Sequence, residues 1–430
     1  MKTWFYEWKN FLFLWFGQSV SQLGSRMTAY ALVLWSYARA GTVMSVATLA
    51  LCSYLPEMLF TFLGGSVADR VNRKAVMLLS DTAAALGTLS LVLLSRAGTL
   101  ALWHLYAVNF LVGMTNAFQS PASNAALSQI IPARHYARAS GLQSFSTAAN
   151  TLVCPALATA AMAFGGLQCI LFIDLLSFFV GAGMLLLLVR IPPVAREGVA
   201  AKGGAMEGLR FLRHERPALL RLIGFFSIVN LLASMSGNGL MPAMILARTG
   251  GNELAVGSVA TCVGIGTLLG SVLAAALPSP RRPLKVVFFS CGISFLLCDC
   301  LWGLGRGVGI WSLAALAGNL PLPLLNANLT TVLRLSVPME RQGRVFAAQG
   351  ALQFCSVPLG YLLGGLLSDY VAEPLMRGGG PVASALAPLV GTGAGSGMAV
   401  LFLLVGLLGF SACIRELGSH AYDGLKDRIP

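Results

Sequence analysis

The sequence predicts an all-α polytopic membrane protein, with twelve transmembrane helices in two pseudo-symmetric six-helix bundles. Three observations carry that prediction. Only 10% of the 430 residues are charged, 56% are hydrophobic, and mean hydropathy is +0.76. A soluble domain carries about 25% charged residues, so this chain has too few to cover a water-facing surface of its size. The hydrophobic residues come in long blocks, and the basic residues cluster in alternate gaps between them.

A helix needs about 20 apolar residues to cross a hydrocarbon core ~30 Å thick. On that measure the first six spans are predicted at 11–38, 43–68, 75–94, 102–131, 138–165 and 168–190. The second six are predicted at 219–247, 255–277, 284–303, 309–336, 344–368 and 396–415. Unbroken apolar runs exclude an outer-membrane barrel, whose strands would alternate apolar and polar residues. The stretch from Phe11 to Tyr37 is too long for a signal-peptide core and is predicted as the first span. The domains are accordingly an N-terminal bundle at 1–190, a linker at 191–218, a C-terminal bundle at 219–415 and a tail at 416–430. Within the linker, Gly208-Leu-Arg-Phe-Leu-Arg-His-Glu is predicted as a short basic amphipathic helix at the membrane surface. Pro155 is expected to bend the fifth span.

Twelve spans place both termini on one side. Of the 29 Lys and Arg, 23 fall on that side, whereas only Arg39, Arg96, Arg248, Arg306 and Arg377 fall on the other, and Arg26 lies inside the first span. The positive-inside rule then puts both termini and the linker in the cytoplasm, with a bacterial cytoplasmic (inner) membrane as the expected location. The net charge of +13 is spread over short clusters, which argues against nucleic acid as a partner. The nine cysteines lie almost entirely in apolar runs and read as small buried hydrophobes, Cys298-Asp299-Cys300 included. Shifting the chain by 206 residues aligns Pro132 with Pro338, Arg138 with Arg344 and Gln143 with Gln349. A duplicated six-helix unit is the architecture of many secondary transporters, with the substrate site between the halves.

The gap between the second and third spans reads Gly64-Gly65-Ser-Val-Ala-Asp69-Arg70-Val-Asn72-Arg73-Lys74, followed by Asp81 in the third span. The glycines allow close helix approach, and the cations hold the cytoplasmic surface. Asp81 lies about 10 Å along its helix from Lys74, and a cationic partner is expected for it. An ordinary positive-inside loop is the competing reading. The motif resembles that of the major facilitator superfamily, Gly-x-x-x-Asp-Arg-x-Gly-Arg-Arg/Lys, with Asn72 in place of the second glycine. The resemblance implies that Gly65, Asp69, Arg70, Arg73, Lys74 and Asp81 serve conformational switching and the outward-facing state rather than substrate binding.

Further stretches are similar to the third drug:proton antiporter family, which includes macrolide-efflux and enterobactin-exporter-like proteins. They are Gln119-Ser-Pro121-Ala-Ser-Asn, Phe172-Ile-Asp174-Leu-Leu-Ser177-Phe178, Gly264-Ile-Gly-Thr-Leu-Leu-Gly270, Gly343-Arg344-Val-Phe and Gly391-Thr-Gly-Ala-Gly-Ser-Gly397. The fourth span lacks the arginine that many related antiporters carry there.

Polar stripes mark a candidate substrate cavity. Gln18, Gln22, Arg26 and Tyr30 recur every four residues on the first span; Asn109, Asn116, Ser120 and Ser123 share a face of the fourth. The seventh span offers Ser227, Asn230, Ser234 and Asn238, and the tenth Asn319, Asn326 and Thr330. Such stripes turn away from lipid because unsatisfied polar groups are costly there, although for a single Ser or Thr helix-to-helix bonding explains as much. The resemblance implies that these four spans line a central cavity. Two charges stand out: Arg26, and Glu57, about 18 Å along its helix from Asp69 and so near the bilayer midplane. They are expected to face the cavity and interact, with Glu57 carrying the proton; a static ion pair is the competing reading. Asp174 and Asp299 are second choices, on spans that sit at the periphery in that family.

The expected function is therefore proton-coupled efflux of amphipathic or hydrophobic small molecules by alternating access. Alternatives are a dedicated siderophore or natural-product exporter and, from another class, a nutrient uptake symporter or a transporter-like sensor. No P-loop and no His-Glu-x-x-His motif occurs, so neither an ATP-driven pump nor an enzyme is expected. No cofactor or metal is expected. The proton gradient is the expected energy source, and the partners are a small-molecule substrate and the lipid bilayer, with a monomer as the functional unit.

Overall fold

The computed structural model describes residues 2–131, 136–191, 205–237, 239–278 and 280–422, and these are helical almost throughout. The chain divides into two compact units, Met1–Gly41 with Thr48–Gly198, and Thr42–Ala47 with Val199–Pro430. Among the described residues, nine helical stretches are long and apolar enough to cross a membrane. One of them, Gly141–Leu187, runs for 47 residues and holds two predicted spans. The first and fourth predicted spans are helices as well, but their polar stripes keep them out of that apolar set.

The first unit contains α1 (Lys2–Ala40), α2 (Val43–Arg70) from Thr48 onward, α3 (Arg73–Arg96), α4 (Leu102–Ile130) and α5 (Tyr136–Leu187). Within α5 the backbone leaves helical geometry at Gly165 (φ −142°) and Gly166 (φ 60°), in the gap expected between two spans. A positive φ is open to glycine at little cost, which explains why the chain reverses there. Pro155 keeps helical dihedrals.

Small residues set how closely these helices approach. Gly64 of α2 lies against the Ala117 carbonyl of α4, and Gly113 of α4 lies against the Ser53 carbonyl of α2, so a methyl at either position would overlap backbone. Gly17 and Gly24 of α1 face the second leg of α5 in the same way, at Met184, Asp174 and Ser177. Backbones that touch like this gain dispersion contacts that lipid-facing leucines cannot supply.

Two apolar clusters close the ends of this unit. One gathers Met27, Leu32, Leu91, Leu105, Ile170 and Leu171; the other gathers Leu14, Val76, Met77, Ala122, Leu185 and Val189. On α1, α3 and α4, polar residues such as Gln22, Asp81 and Asn116 fall between these two clusters, which leaves a polar layer at mid-height.

The second unit runs through α6 (Ala205–His214), α7 (Pro217–Ser236), α8 (Leu240–Thr249), α9 (Glu253–Ala276) and α10 (Pro283–Phe295). It continues with α11 (Leu301–Leu304), α12 (Val308–Asn319), α13 (Leu322–Ser336), α14 (Met339–Leu367), α15 (Glu373–Arg377), α16 (Pro381–Val390) and α17 (Ser396–Leu417). Three predicted spans are interrupted. The seventh breaks between α7 and α8 at Gly237 and Gly239, and the tenth between α12 and α13 at Pro321. The ninth passes through a π-turn at Leu296–Cys300. Glycine and proline account for the first two breaks, and non-helical backbone at membrane depth persists only where protein or a cavity covers it. Cys298 and Cys300 pack against Gly318 and Gly406, as space-filling thiols do.

The linker helix α6 lays its apolar face on the rest of the second unit. Phe211 and Leu212 are buried in the apolar core with Leu222, Val287, Val332 and Val345. Burial of each side chain is worth roughly 1.5–3 kcal/mol. The ion pairs Glu207–Arg344 and Glu215–Arg341 lie exposed on the rim and contribute at most about 1 kcal/mol each. The apolar face therefore decides where α6 sits. In the tail, a turn of 3₁₀-helix at His420–Tyr422 brings the Tyr422 ring against Phe288, with centroids 5.3 Å apart. Its hydroxyl donates to Glu416 Oε2 at 2.7 Å. Burial, and behind it the Glu416 carboxylate, push the phenol well above its ordinary range, so it stays protonated and donates.

Three of the arginines counted on the sparsely basic side satisfy carbonyls or aromatics. Arg248 donates to Gly305 O at 2.9 Å and Val390 O at 2.6 Å, Arg306 to Pro388 O at 2.6 Å, and Arg96 lies over the Phe172 ring at 5.0 Å.

Replacing Gly113 with Val is expected to destabilise the first unit by about 1–3 kcal/mol, read as a lower midpoint of unfolding in mixed micelles. Gly141, with nothing within 4 Å of an added Cβ, is expected to accept Ala with no such change.

Candidate functional site

The polar layer of the first unit lines a cavity of about 490 Å³. Each helix presents one face to it. Helix α1 contributes Gln18, Gln22, Ser25 and Arg26; α2 contributes Ser53 and Glu57; α3 contributes Asp81 and Thr88. Helix α4 adds Asn109, Asn116, Gln119, Ser120 and Ser123, and the second leg of α5 adds Asp174. A smaller hollow of about 260 Å³ shares Gln18, Gln22, Ser123, Asn124 and Gln143 with it and reaches Ser146 and Thr147.

Three carboxylates meet this cavity in two different ways. Asp81 is buried and accepts from Gln18 Nε2 at 3.3 Å and from Gln119 Nε2, which also lies 3.1 Å from Gln18 Oε1. Asp174 is buried and accepts from Ser25 at 3.1 Å, Thr28 at 3.0 Å and Thr88 at 2.9 Å. Both are held by neutral donors on neighbouring helices. Glu57 is half-buried, and among the described residues no side chain or backbone N–H donates to its carboxylate. Arg26 is exposed on the cavity wall, and no ion pair among the described residues joins it to Glu57. A static Arg26–Glu57 pair is therefore not what the structure holds.

Several sequence expectations change here. Asp81 has two amides where a cation was expected, because the nearest donors on α1 and α4 are uncharged glutamines that satisfy it without a second buried charge. Asp174 was expected at the periphery and instead faces the cavity, because the close contacts at Gly17 and Gly24 bring the second leg of α5 onto α1. Tyr30 packs with the apolar cluster around Met27 and Leu32 and is not among the lining residues, although Ala29 and Leu32 on either side of it are. Gln18, Gln22, Asn109 and Asn116 do line the cavity, although Asn109 also donates to its own helix at Leu105 O, 2.9 Å.

The residues proposed from the second unit are dispersed. Ser234 donates to Leu231 O at 2.9 Å and packs on Gly360 of α14, so it joins two helices. Asn319 donates to Ala315 O at 2.8 Å at the end of α12. Asn230 is half-buried on α7, Asn326 is exposed on α13, and Asn238 lies outside the described residues. Asp299 is buried in the π-turn beside Gly406 of α17, and its Oδ1 has no hydrogen-bond partner among the described residues.

The sequence reading did not propose Ser25, Thr28, Ser53, Thr88 or Gln119 for the site. Thr88 was detectable in principle, since it stands seven residues after Asp81 and shares its helix face.

The first unit thus holds a polar cavity, lined by three carboxylates and an arginine, among long apolar helices. The family of transmembrane secretion effectors within the major facilitator superfamily matches residues 6–391. The chain belongs to it. Among curated proteins, macrolide efflux protein A of Streptococcus pyogenes is 24% identical over 85% of this chain and 91% of its own length. The multidrug efflux pump Tap of Mycolicibacterium fortuitum is 24% identical over 76% of this chain and 82% of its own. Among solved structures, a nucleoside transporter superposes with a TM-score of 0.73 at 13% identity, covering 95% of this chain and 99% of that one. A human organic anion transporter gives 0.60 at 15% identity, with coverage of 95% and 99%. The structural likenesses show the fold.

The facilitator motif explains its own departure from the family pattern. Asn72 is the N-cap of α3: its Oδ1 accepts from Lys74 N at 3.0 Å and Ala75 N at 3.4 Å, with φ −57° and ψ 112°. A glycine supplies backbone freedom, but here the backbone is ordinary and a capping side chain does the same work of starting the helix. Lys74 donates to Leu186 O at 3.0 Å and Val189 O at 2.8 Å, and Arg73 to Ala125 O at 3.1 Å. The motif's cations thus bind carbonyls at the C-terminal ends of α5 and α4, where the helix dipole is negative. Gly65, Asp69 and Arg70 fall in the last turns of α2, and their side chains lie outside the described residues.

Asn72→Ala is expected to lower the stability of this facilitator by about 1 kcal/mol, and Asn72→Gly by only a few tenths, in unfolding titrations.

Proposed function

We propose that this facilitator exports amphipathic or hydrophobic small molecules from the bacterial cytoplasm in exchange for protons, by alternating access. In this reading both termini face the cytoplasm and one chain is the functional unit. The observation that carries it is the contrast among the three cavity carboxylates: Asp81 and Asp174 are each held by neutral protein donors, while Glu57 stands open to the cavity opposite a single cation, Arg26.

An acid already bonded by two or three protein donors is fixed in place and changes its contacts little. An acid open to the cavity exchanges its proton with the water that fills it. In its ionised form Glu57 attracts Arg26 or a cationic group of the substrate; protonation removes that attraction and releases the bound cation. Entry of a proton from outside and its loss to the cytoplasm then alternate with loading and release of the exported compound. The cavity volume of about 490 Å³ lies within the ordinary range for small-molecule sites, about 300–1,000 Å³. The similarity to macrolide efflux protein A and to the multidrug efflux pump Tap supports export of such compounds. The excess of basic residues on the side of the termini supports the orientation.

Purified protein in liposomes with an imposed pH gradient is expected to accumulate a fluorescent amphipathic dye. Glu57→Gln is expected to reduce that accumulation to the level of protein-free liposomes while still binding the dye. Gradient-driven transport by Glu57→Gln at the wild-type rate would show that the proton travels elsewhere.

A further inference from the structure

The second unit contains a cavity of its own, lined by none of the residues of the polar layer in the first unit. It measures about 450 Å³ and lies where α10 begins and α17 ends. Arg281, Arg282 and Lys285 line it from the α10 side, and Leu417 to His420 from the other. All three cations are exposed, and among the described residues no Asp or Glu lines the cavity. Among the described residues none of the three is in an ion pair. Glu416, the acid nearest in sequence, is already engaged by Arg221 at 3.0 Å and by the Tyr422 hydroxyl at 2.7 Å.

The local electrostatics are one-sided. Helix α10 starts with Pro283 at its first position, and its N-cap, Arg282, makes no side-chain capping bond. That leaves the positive end of the helix uncovered, and the carbonyl end of α17 offsets it with about half a unit charge of opposite sign. The two helix ends cancel, and the three side-chain cations remain. Positive-inside residues need only lie on the correct side of the membrane. They do not need a cavity, and three of them around one concave surface form a receptor for an anion.

Position narrows the anion. The helical stretches Pro283–Leu304 and Ser396–Leu417 are both apolar enough to span, so the cavity sits at a membrane boundary, on the side rich in basic residues. Two arginine forks and one ammonium suit phosphate oxygens, which arginine binds in bidentate fashion.

We propose that this cavity binds the phosphate group of an anionic ligand, with Arg281, Arg282 and Lys285 as its cations. A phospholipid headgroup and a soluble phosphate share that chemistry, and the test separates them. The detergent-purified full chain is titrated with phosphatidylglycerol or phosphatidylcholine, alone and in competition with inorganic phosphate, and bound lipid is counted by native mass spectrometry. Three double variants are compared: Arg281→Gln with Arg282→Gln, Arg281→Lys with Arg282→Lys, and a charge-matched control, Arg210→Gln with Arg213→Gln on the exposed face of α6. Each basic residue near an anionic surface contributes about 1 kcal/mol, so loss of two is expected to weaken phosphatidylglycerol binding roughly 30-fold. The lysine pair is expected to retain most of it, and the control is expected to match wild type. Competition by inorganic phosphate at the same site identifies a soluble ligand, and its failure to compete identifies the lipid. Equal binding by the glutamine pair and the control, or phosphatidylcholine binding as tightly as phosphatidylglycerol, would overturn the proposal.

Discussion

A polar group surrounded by hydrocarbon must find a partner, water or a way out, and the first unit is arranged around that constraint. Its helices carry glutamine, asparagine, serine, threonine and carboxylate side chains at mid-height, between an apolar cluster built on Leu32, Leu91 and Ile170 and another built on Leu14, Met77 and Leu185. Turned outward, each would lose hydrogen bonds worth several kcal/mol in lipid. Turned inward, they bond to one another across helices, as Asp81 does with Gln18 and Gln119 and Asp174 with Ser25, Thr28 and Thr88. The two apolar clusters hold the helices together, and the polar layer between them has nowhere to go but the cavity.

Close backbone contact makes this layer narrow enough to be shared. Gly64 and Gly113 bring α2 and α4 to van der Waals distance at two levels, and Gly17 and Gly24 do so for α1 and α5. Glu57 stands on α2 between the levels of Ser53 and Gly64, and it lines the same cavity as the α4 amides and hydroxyls. The second unit handles the same constraint differently. It breaks its helices at Gly237, Gly239 and Pro321 and passes through π-turns, and arginines such as Arg248 and Arg306 take up the carbonyls that end its helices.

The fold class was legible in the sequence because its causes are long-range averages: block length, charge scarcity and the alternation of basic loops. The reversal at Gly165–Gly166 was legible too, since two glycines separate two apolar runs. Breaks inside a span were not, because Gly237 or Pro321 reads locally like many glycines and prolines that leave a membrane helix intact. On α1, Gln18, Gln22 and Arg26 line the cavity, whereas Tyr30 packs into an apolar cluster, a difference of neighbours that the four-residue spacing does not show. Partners were the least legible feature. Nothing local tells that Asp81 meets amides or that Asp174 meets hydroxyls, because those donors come from residues 38 to 149 positions away. The amphipathic stretch at α6 shows the same limit: its periodicity marks an apolar face, and only the fold shows that protein covers it.

The central claim is that the mid-height layer of the first unit is a water-filled substrate chamber and not a packed polar core. Cysteine accessibility tests it directly. In a chain freed of its nine native cysteines, Asn116→Cys on the cavity wall and Leu91→Cys in the apolar cluster are compared in intact membranes with a charged, water-borne thiol reagent. Rapid labelling is expected at Asn116→Cys, slowed by a transported dye, and none at Leu91→Cys. Absence of labelling at Asn116→Cys, or equal labelling at both positions, would contradict the claim.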